Sequence, residues 1–146
     1  MADLKALATA QCDAWNAHDL EGYLSYFSDD AVYTCPGRVI RGKDAIRSYM
    51  LTLTEAFPDE NLTYKPFVAE GDTVVMRFEA RATHSGVFRV SPRRQLAPSG
   101  RSYLLDVVSI ATFDGDKIVK LEDFFDLYDF AFKQMQFPLP TSAAAR

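Results

Sequence analysis

Cysteine and histidine are scarce in this chain, with two of each among 146 residues. Cys12 and Cys35 form neither a disulfide framework nor a metal-ligand spacing, so two free thiols in a reducing cytoplasm are expected. No apolar run approaches the roughly 20 residues of a membrane helix. The opening Met1-Ala2-Asp3-Leu4-Lys5 lacks the basic and then apolar regions of a signal peptide. A Gly-rich phosphate loop, a zinc cluster and a Gly-x-Ser-x-Gly elbow are missing too. That points away from nucleotide-driven, metal-driven and serine-nucleophile chemistry, so neither a metal nor a cofactor is expected. Positive charge is also in deficit. A net charge of -4 argues against a nucleic acid or a membrane surface as the partner.

Hydrophobic residues make up 48% of the chain and charged ones 25%, as in an ordinary soluble domain. The length suits one domain, expected over 1–137 with a tail over 138–146. Aromatic residues, at 13%, suit a chain that lines a cavity as well as a core. The spacing predicts a helix from Asp3 to about Ala17 and a short one after the cap Asp19, with Leu20, Tyr23, Leu24 and Phe27 on one stripe. A strand over Ala31–Thr34 turns at Pro36-Gly37 towards Arg38–Arg41. A third helix follows Gly42, with Ile46, Tyr49, Met50, Leu53 and Phe57 as its stripe. The period then changes to two. Strands are predicted over Leu62–Ala69, Thr73–His84 and Arg101–Phe113, with Ser85–Gly100 as a long irregular loop. Helices followed by antiparallel strands make an α+β pattern, with the sheet curled around the helical stripes.

The stretch Lys117–Lys133 follows the hairpin signal Asp114-Gly115. Read as a strand, it puts Val119, Leu121, Asp123, Phe125 and Leu127 on one face. A carboxylate on that apolar face is costly unless paired, hydrogen-bonded or protonated. Asp123 is therefore the leading candidate for a general acid or base on a mostly apolar substrate. Tyr33 and His84 are the candidates for hydrogen-bonding a substrate oxygen or developing oxyanion, His84 because it ends a strand and could stand at a pocket mouth. By alternation Asp106 points outward when Tyr103, Leu105 and Val107 line the interior. Arg89, Arg93, Arg94 and Arg101 gather around the long loop, as a solvated charge run, a lid or a docking patch for an acidic carrier protein. The expected cavity wall comprises Trp15, Met50, Leu53 and Phe57 from the helical half. From the strands and the chain's end it takes Phe78, Ala80, Ala82, Tyr103, Leu105, Val107, Phe125 and Phe130.

Several short motifs occur in an order that resembles SnoaL-like proteins of the nuclear-transport-factor-two-like superfamily. They are Trp15-Asn16-Ala17-His18-Asp19-Leu20, Phe27-Ser28-Asp29-Asp30-Ala31-Val32-Tyr33 and Gly42-Lys43-Asp44-Ala45-Ile46. Glu70-Gly71-Asp72-Thr73-Val74-Val75, Thr83-His84-Ser85-Gly86 and Gly115-Asp116-Lys117-Ile118-Val119 complete the set. The resemblance covers nearly the whole chain. It implies a cone-shaped α+β barrel, three N-terminal helices in a strongly curved, mostly antiparallel sheet, with an apolar cavity and a homodimer.

Glu122-Asp123-Phe124-Phe125-Asp126-Leu127 is also similar to the last strand of limonene-epoxide-hydrolase-type enzymes. The water-activating aspartate of those enzymes falls on Asp123 and their tyrosine on Tyr33. Their asparagine falls on Cys35, and their Arg-x-Asp pair on Phe78 and Ala80, which removes the acid that opens an epoxide. The SnoaL group's cyclases use an aspartate on this strand for aldol-type ring closure without metal or cofactor. The resemblance thus implies a cyclase or isomerase acting on a hydrophobic polyketide- or terpenoid-like intermediate. An Asp-activated water in a hydrolase or dehydratase is the alternative, and a non-catalytic small-molecule binder is another.

Overall fold

Asp3 ends its own turn by accepting the amide of Ala6 at 3.1 Å and so caps α1, Leu4–Asn16. Ala8, Gln11, Cys12 and Trp15 recur at helical spacing, and these are the residues the helix buries. The computed structural model describes residues 2–139. Asn16 fastens the end of α1: its amide donates to the carbonyl of Leu62 at 2.9 Å and accepts the amide of Leu62 at 2.8 Å. Asp19 caps α2, Leu20–Leu24, through the amide of Gly22. In α3, Lys43–Ala56, Ile46, Met50 and Ala56 are buried, and Phe57 follows at the C-cap.

The main sheet contains β1, Phe27–Cys35; β2, Arg38–Arg41; β3, Asn61–Tyr64; and β4, Val68–Glu70. Its longest strands are β5, Thr73–Thr83, and β8, Ser102–Asp114, with β9, Lys117–Phe124, beside them. Their order is β2-β1-β9-β8-β5-β3, with β4 also on β5. Every pair is antiparallel except β1 with β9. The sheet is open rather than closed into a barrel, but the α+β architecture is the expected one. Alternation holds strictly on the long strands. Val74, Met76, Phe78, Ala80 and Ala82 are buried on β5, as are Tyr103, Leu105, Val107, Ser109, Ala111 and Phe113 on β8.

Several local expectations are corrected. Phe27 opens β1 instead of ending α2, and Ser28–Asp30 form an irregular part of that strand. The strand expected over Leu62–Ala69 is two short ones, since Pro66 lies between them and cannot donate to a ladder. Ser85–Gly100 holds a hairpin of β6, Phe88–Ser91, and β7, Arg94–Leu96. β9 stops at Phe124, and the final helical turn expected near Leu127 is present, with Asp129–Gln134 as a turn of π-helix. Beyond the end of β9, the side chain of Gln134 bonds both the amide and the carbonyl of Leu104 at 2.8 Å. Phe137 packs against the core and the carbonyl of Pro138 accepts from Arg94. The remainder of the expected tail, 140–146, lies outside the described residues.

The face reading of β9 holds only in its second half. Thr112 pairs with Lys120 but Phe113 pairs with Ile118, leaving Val119 as the extra residue of a bulge. The bulge turns Ile118 into the core, fully buried, and leaves Val119 half-buried. From Leu121 onward the phase is the predicted one.

Candidate functional site

The helices and the inner face of the sheet enclose a cavity of about 510 Å³. Asp123 faces it from β9, in register with Ser109 on β8. Parallel pairing of β1 with β9 matches Tyr33 to Leu121, which brings the Tyr33 ring to the next inward position. The hydroxyl of Tyr33 donates to Oδ2 of Asp123 at 2.5 Å, and Ser109 Oγ donates to Oδ1 at 2.6 Å. Burial pushes the Asp123 carboxyl above the usual carboxylate range, against the two hydroxyl bonds that favour its ionised form. Burial, reinforced by the charge of Asp123, pushes Tyr33 well above the usual phenol range. The phenol therefore keeps its proton and spends it on Asp123. The single O–H of Tyr33 is thus given to the Asp123 carboxyl.

His84 does not reach this site. Its ring is fully buried outside the cavity wall and packs against Phe57, Phe88 and Phe137 at centroid distances of 5.4, 6.4 and 5.6 Å. Its Nδ1 lies 3.0 Å from Ser99 Oγ, and its backbone bonds Arg101 and Gly100. It closes the base of the loop that carries the β6–β7 hairpin. Burial lowers its affinity for a proton. Its expected place at a pocket mouth is thus corrected: the strand end is covered by aromatic rings.

Each expected wall residue lines the cavity except Ala82. Ala82 is buried opposite Tyr103, towards the strand end filled by the rings around Phe57. Asp106 is exposed on the outer face, as alternation requires. The arginines of the long loop do not act as one patch. Arg94 lines the cavity, Arg89 bonds Glu55 at 3.0 Å, and Arg101 bonds the carbonyl of Gln134 at 2.7 Å. The β6–β7 hairpin supplies Phe88, Val90 and Leu96 to the wall, and Arg38 secures it through the carbonyl of Val90 at 2.8 Å.

Polar residues that sequence reasoning did not assign to the wall include Gln11, Glu60 and Ser109. Ser109 was legible, because it interrupts the inward series Tyr103, Leu105, Val107 at the right parity. Gln11 is 1% exposed and its Nε2 has no partner among the described residues. Glu60 sits after the Pro58-Asp59 stop of α3, where no periodicity assigns a direction. Its Oε1 accepts from Trp15 Nε1 at 2.9 Å, and its Oε2 accepts from the hydroxyl of Tyr103. Burial pushes the Glu60 carboxyl upward against those two bonds, and the charge of Asp123 adds to the rise. Cys12 and Cys35 are free and buried in the same wall, where burial pushes the Cys12 thiol up to about 12. Neither is a thiolate nucleophile at neutral pH.

Residues 8–121 match the family model described as SnoaL-like domain. Among curated proteins none matches the chain. Among solved structures, AclR of Streptomyces galilaeus, a proposed hydroxylase, is 27% identical with a TM-score of 0.77, over 99% of this chain and 93% of that one. A proposed SnoaL-like polyketide cyclase of Jannaschia sp. CCS1 has a TM-score of 0.80 at 16% identity, over 95% and 98% of the two chains. IdmH of Streptomyces antibioticus, a proposed polyketide cyclase, has a TM-score of 0.68 at 22% identity, over 86% and 93%. The last two likenesses show the fold alone.

Proposed function

Because the chain belongs to the SnoaL-like domain family, we propose that it is a cyclase or isomerase. Its substrate is a hydrophobic polyketide- or terpenoid-like intermediate, and its chemistry is acid/base transfer in the apolar cavity. One observation carries this reading: Asp123 is held by Tyr33 and Ser109 in a wall otherwise rich in apolar side chains. Burial makes its carboxylate a stronger base than an exposed aspartate, while the two hydroxyls fix its direction. As a carboxylate it takes a proton from a carbon acid. The resulting enolate attacks a carbonyl elsewhere in the folded substrate, and the new alkoxide receives the proton back from Asp123. A proton taken and a proton returned balance the ring closure. Phe78, Ala80, Leu105, Val107 and Phe125 hold the substrate folded, which supplies the orientation the step needs.

The proposal places the chain in the cytoplasm, in keeping with its two free thiols. It also makes the chain a homodimer across the outer face of β8 and β9.

The test is Asp123→Asn, with turnover and folding measured together. A positioned base is worth about 10²–10⁴-fold in rate, so turnover falls by that factor while the melting transition stays cooperative. Unchanged turnover in a folded variant overturns the reading. The hydrolase alternative uses the same carboxyl on water and separates cleanly: oxygen-18 from labelled water enters its product and not that of a ring closure.

A further inference from the structure

The cavity contains a second carboxyl for which ring closure at Asp123 has no use. Glu60 and Asp123 are built alike. Each lies in the cavity wall, and each accepts bonds from two side chains: Tyr33 and Ser109 on Asp123, Trp15 and Tyr103 on Glu60. Ser109 and Tyr103 stand on the same inward face of β8, with the apolar Leu105 and Val107 between them. On the inward face of β8, the stretch between these two positions is apolar.

A carboxylate offers about four acceptor positions. Two donors leave each of these groups able to accept more, and both groups line the cavity. As a tether for Trp15 and Tyr103 alone, a glutamate is a poor choice. Its charge is penalised by burial and by Asp123, and a glutamine would accept from the indole equally well. We infer that Glu60 is a second ligand-binding group, and that the cavity takes an apolar scaffold with hydroxyl or enol groups at two ends, one donating to Asp123 and the other to Glu60. This rests on the reading of Asp123 as a group that meets the ligand, and it adds a second polar contact for that ligand at Glu60.

The probes are a naphthol, a naphthalenediol with its hydroxyls on opposite rings and a biphenyldiol with para hydroxyls, titrated calorimetrically into the full chain. A hydroxyl donated to a charged acceptor strengthens binding by about tenfold or more. At least one diol should therefore bind the wild type that much more tightly than the naphthol. Glu60→Gln keeps an acceptor for Trp15 and should fold. It is expected to lose the gain from the second hydroxyl while binding the naphthol within about threefold of wild type. Asp123→Asn is expected to lose the gain as well.

If no diol outbinds the naphthol in the wild type, the inference is overturned without any variant. A gain that survives Glu60→Gln overturns it too. A gain that survives Asp123→Asn instead overturns the reading of Asp123 on which it rests.

Discussion

The hydroxyl of Tyr33 donates to Oδ2 of Asp123 across 2.5 Å. This bond favours the ionised carboxyl, and burial opposes it. Tyr33→Phe keeps the ring against Tyr49, at a centroid distance of 5.9 Å, and deletes only the bond. The Asp123 carboxyl should then titrate higher, so less base is present at neutral pH. On the acid side of the Asp123 titration turnover is expected to fall by up to about tenfold, the scale of one hydrogen bond to a charge, and to recover towards alkaline pH. A pH–rate profile whose acid limb does not move would show that Tyr33 does not set the state of Asp123.

Both cavity carboxyls bind protons more readily in the fold than in the unfolded chain, chiefly because burial disfavours their charge. The folded state therefore holds extra protons above the unfolded values of 3.8 for Asp123 and 4.5 for Glu60. Their contribution to stability is fully present below those values and is lost as pH rises through the folded ones. Asp123→Asn removes the loss. Its melting temperature relative to wild type should rise as the pH goes from about 4 to 8. Calorimetric melts across that range check the sign, and a difference that shrinks with pH contradicts it.

Legibility differed from element to element for physical reasons. β5 and β8 are covered on one face only, so their alternation reads directly as burial and placed Phe78, Ala80, Leu105 and Val107 correctly. The same rule found Asp123 but put Val119 on the wrong footing, because a bulge inserts one residue and leaves no mark in the hydrophobic pattern. Polar and proline-containing segments read as loops. The β6–β7 hairpin escaped because its pairing is short and its partners come from the chain itself rather than from the main sheet. Glu60 escaped because a side chain after a helix stop owes its direction to tertiary contacts, here with Trp15 and Tyr103. His84 was misplaced since a strand end looks exposed until the rings that cover it are known.

Phe57 occupies the C-cap of α3 and meets four rings: His84, Phe88, Tyr103 and Phe130, at centroid distances of 5.4, 5.4, 5.3 and 6.1 Å. It joins the helix to the hairpin, the main sheet and the π-turn. Phe57→Ala should cost about 3–5 kcal/mol, as for a buried phenylalanine truncated to alanine. Urea unfolding measures it. A loss under about 1 kcal/mol would mean that the surrounding rings collapse into the gap.

Gly86 is fixed by space. A Cβ there would lie 1.8 Å from the carbonyl oxygen of Glu55, and the amides of Ser85 and Gly86 both bond the carbonyl of Ala56. Gly86→Ala must push the start of the hairpin loop off the end of α3. The expected cost is about 1–3 kcal/mol, the range for overpacking. Arg38 and Arg94 tie the hairpin elsewhere, so the fold survives while the hairpin loosens. Hydrogen exchange should quicken in Phe88–Leu96 and stay unchanged in β5; unchanged exchange in both would contradict the assignment.

On the outer face of the sheet, Val108 and Phe124 are cross-strand partners and stand 37% and 53% exposed, with Leu104 at 48% further along β8. Charges of both signs surround them: Arg77 is paired with Val108, Arg81 with Leu104, and Glu79 with Asp106. A second copy related by a two-fold axis meets this face with the same face, so apolar residues can meet at the axis and opposite charges around it. The wild type should therefore run at twice its 16.4 kDa mass in light scattering after gel filtration. Phe124→Lys places a charge at the centre of the contact, where leaving it unpaired costs several kcal/mol. That variant should run as a monomer, and Lys65→Glu, on the segment between β3 and β4, should not change the mass. A wild type that is monomeric at tens of micromolar sinks the dimer proposal.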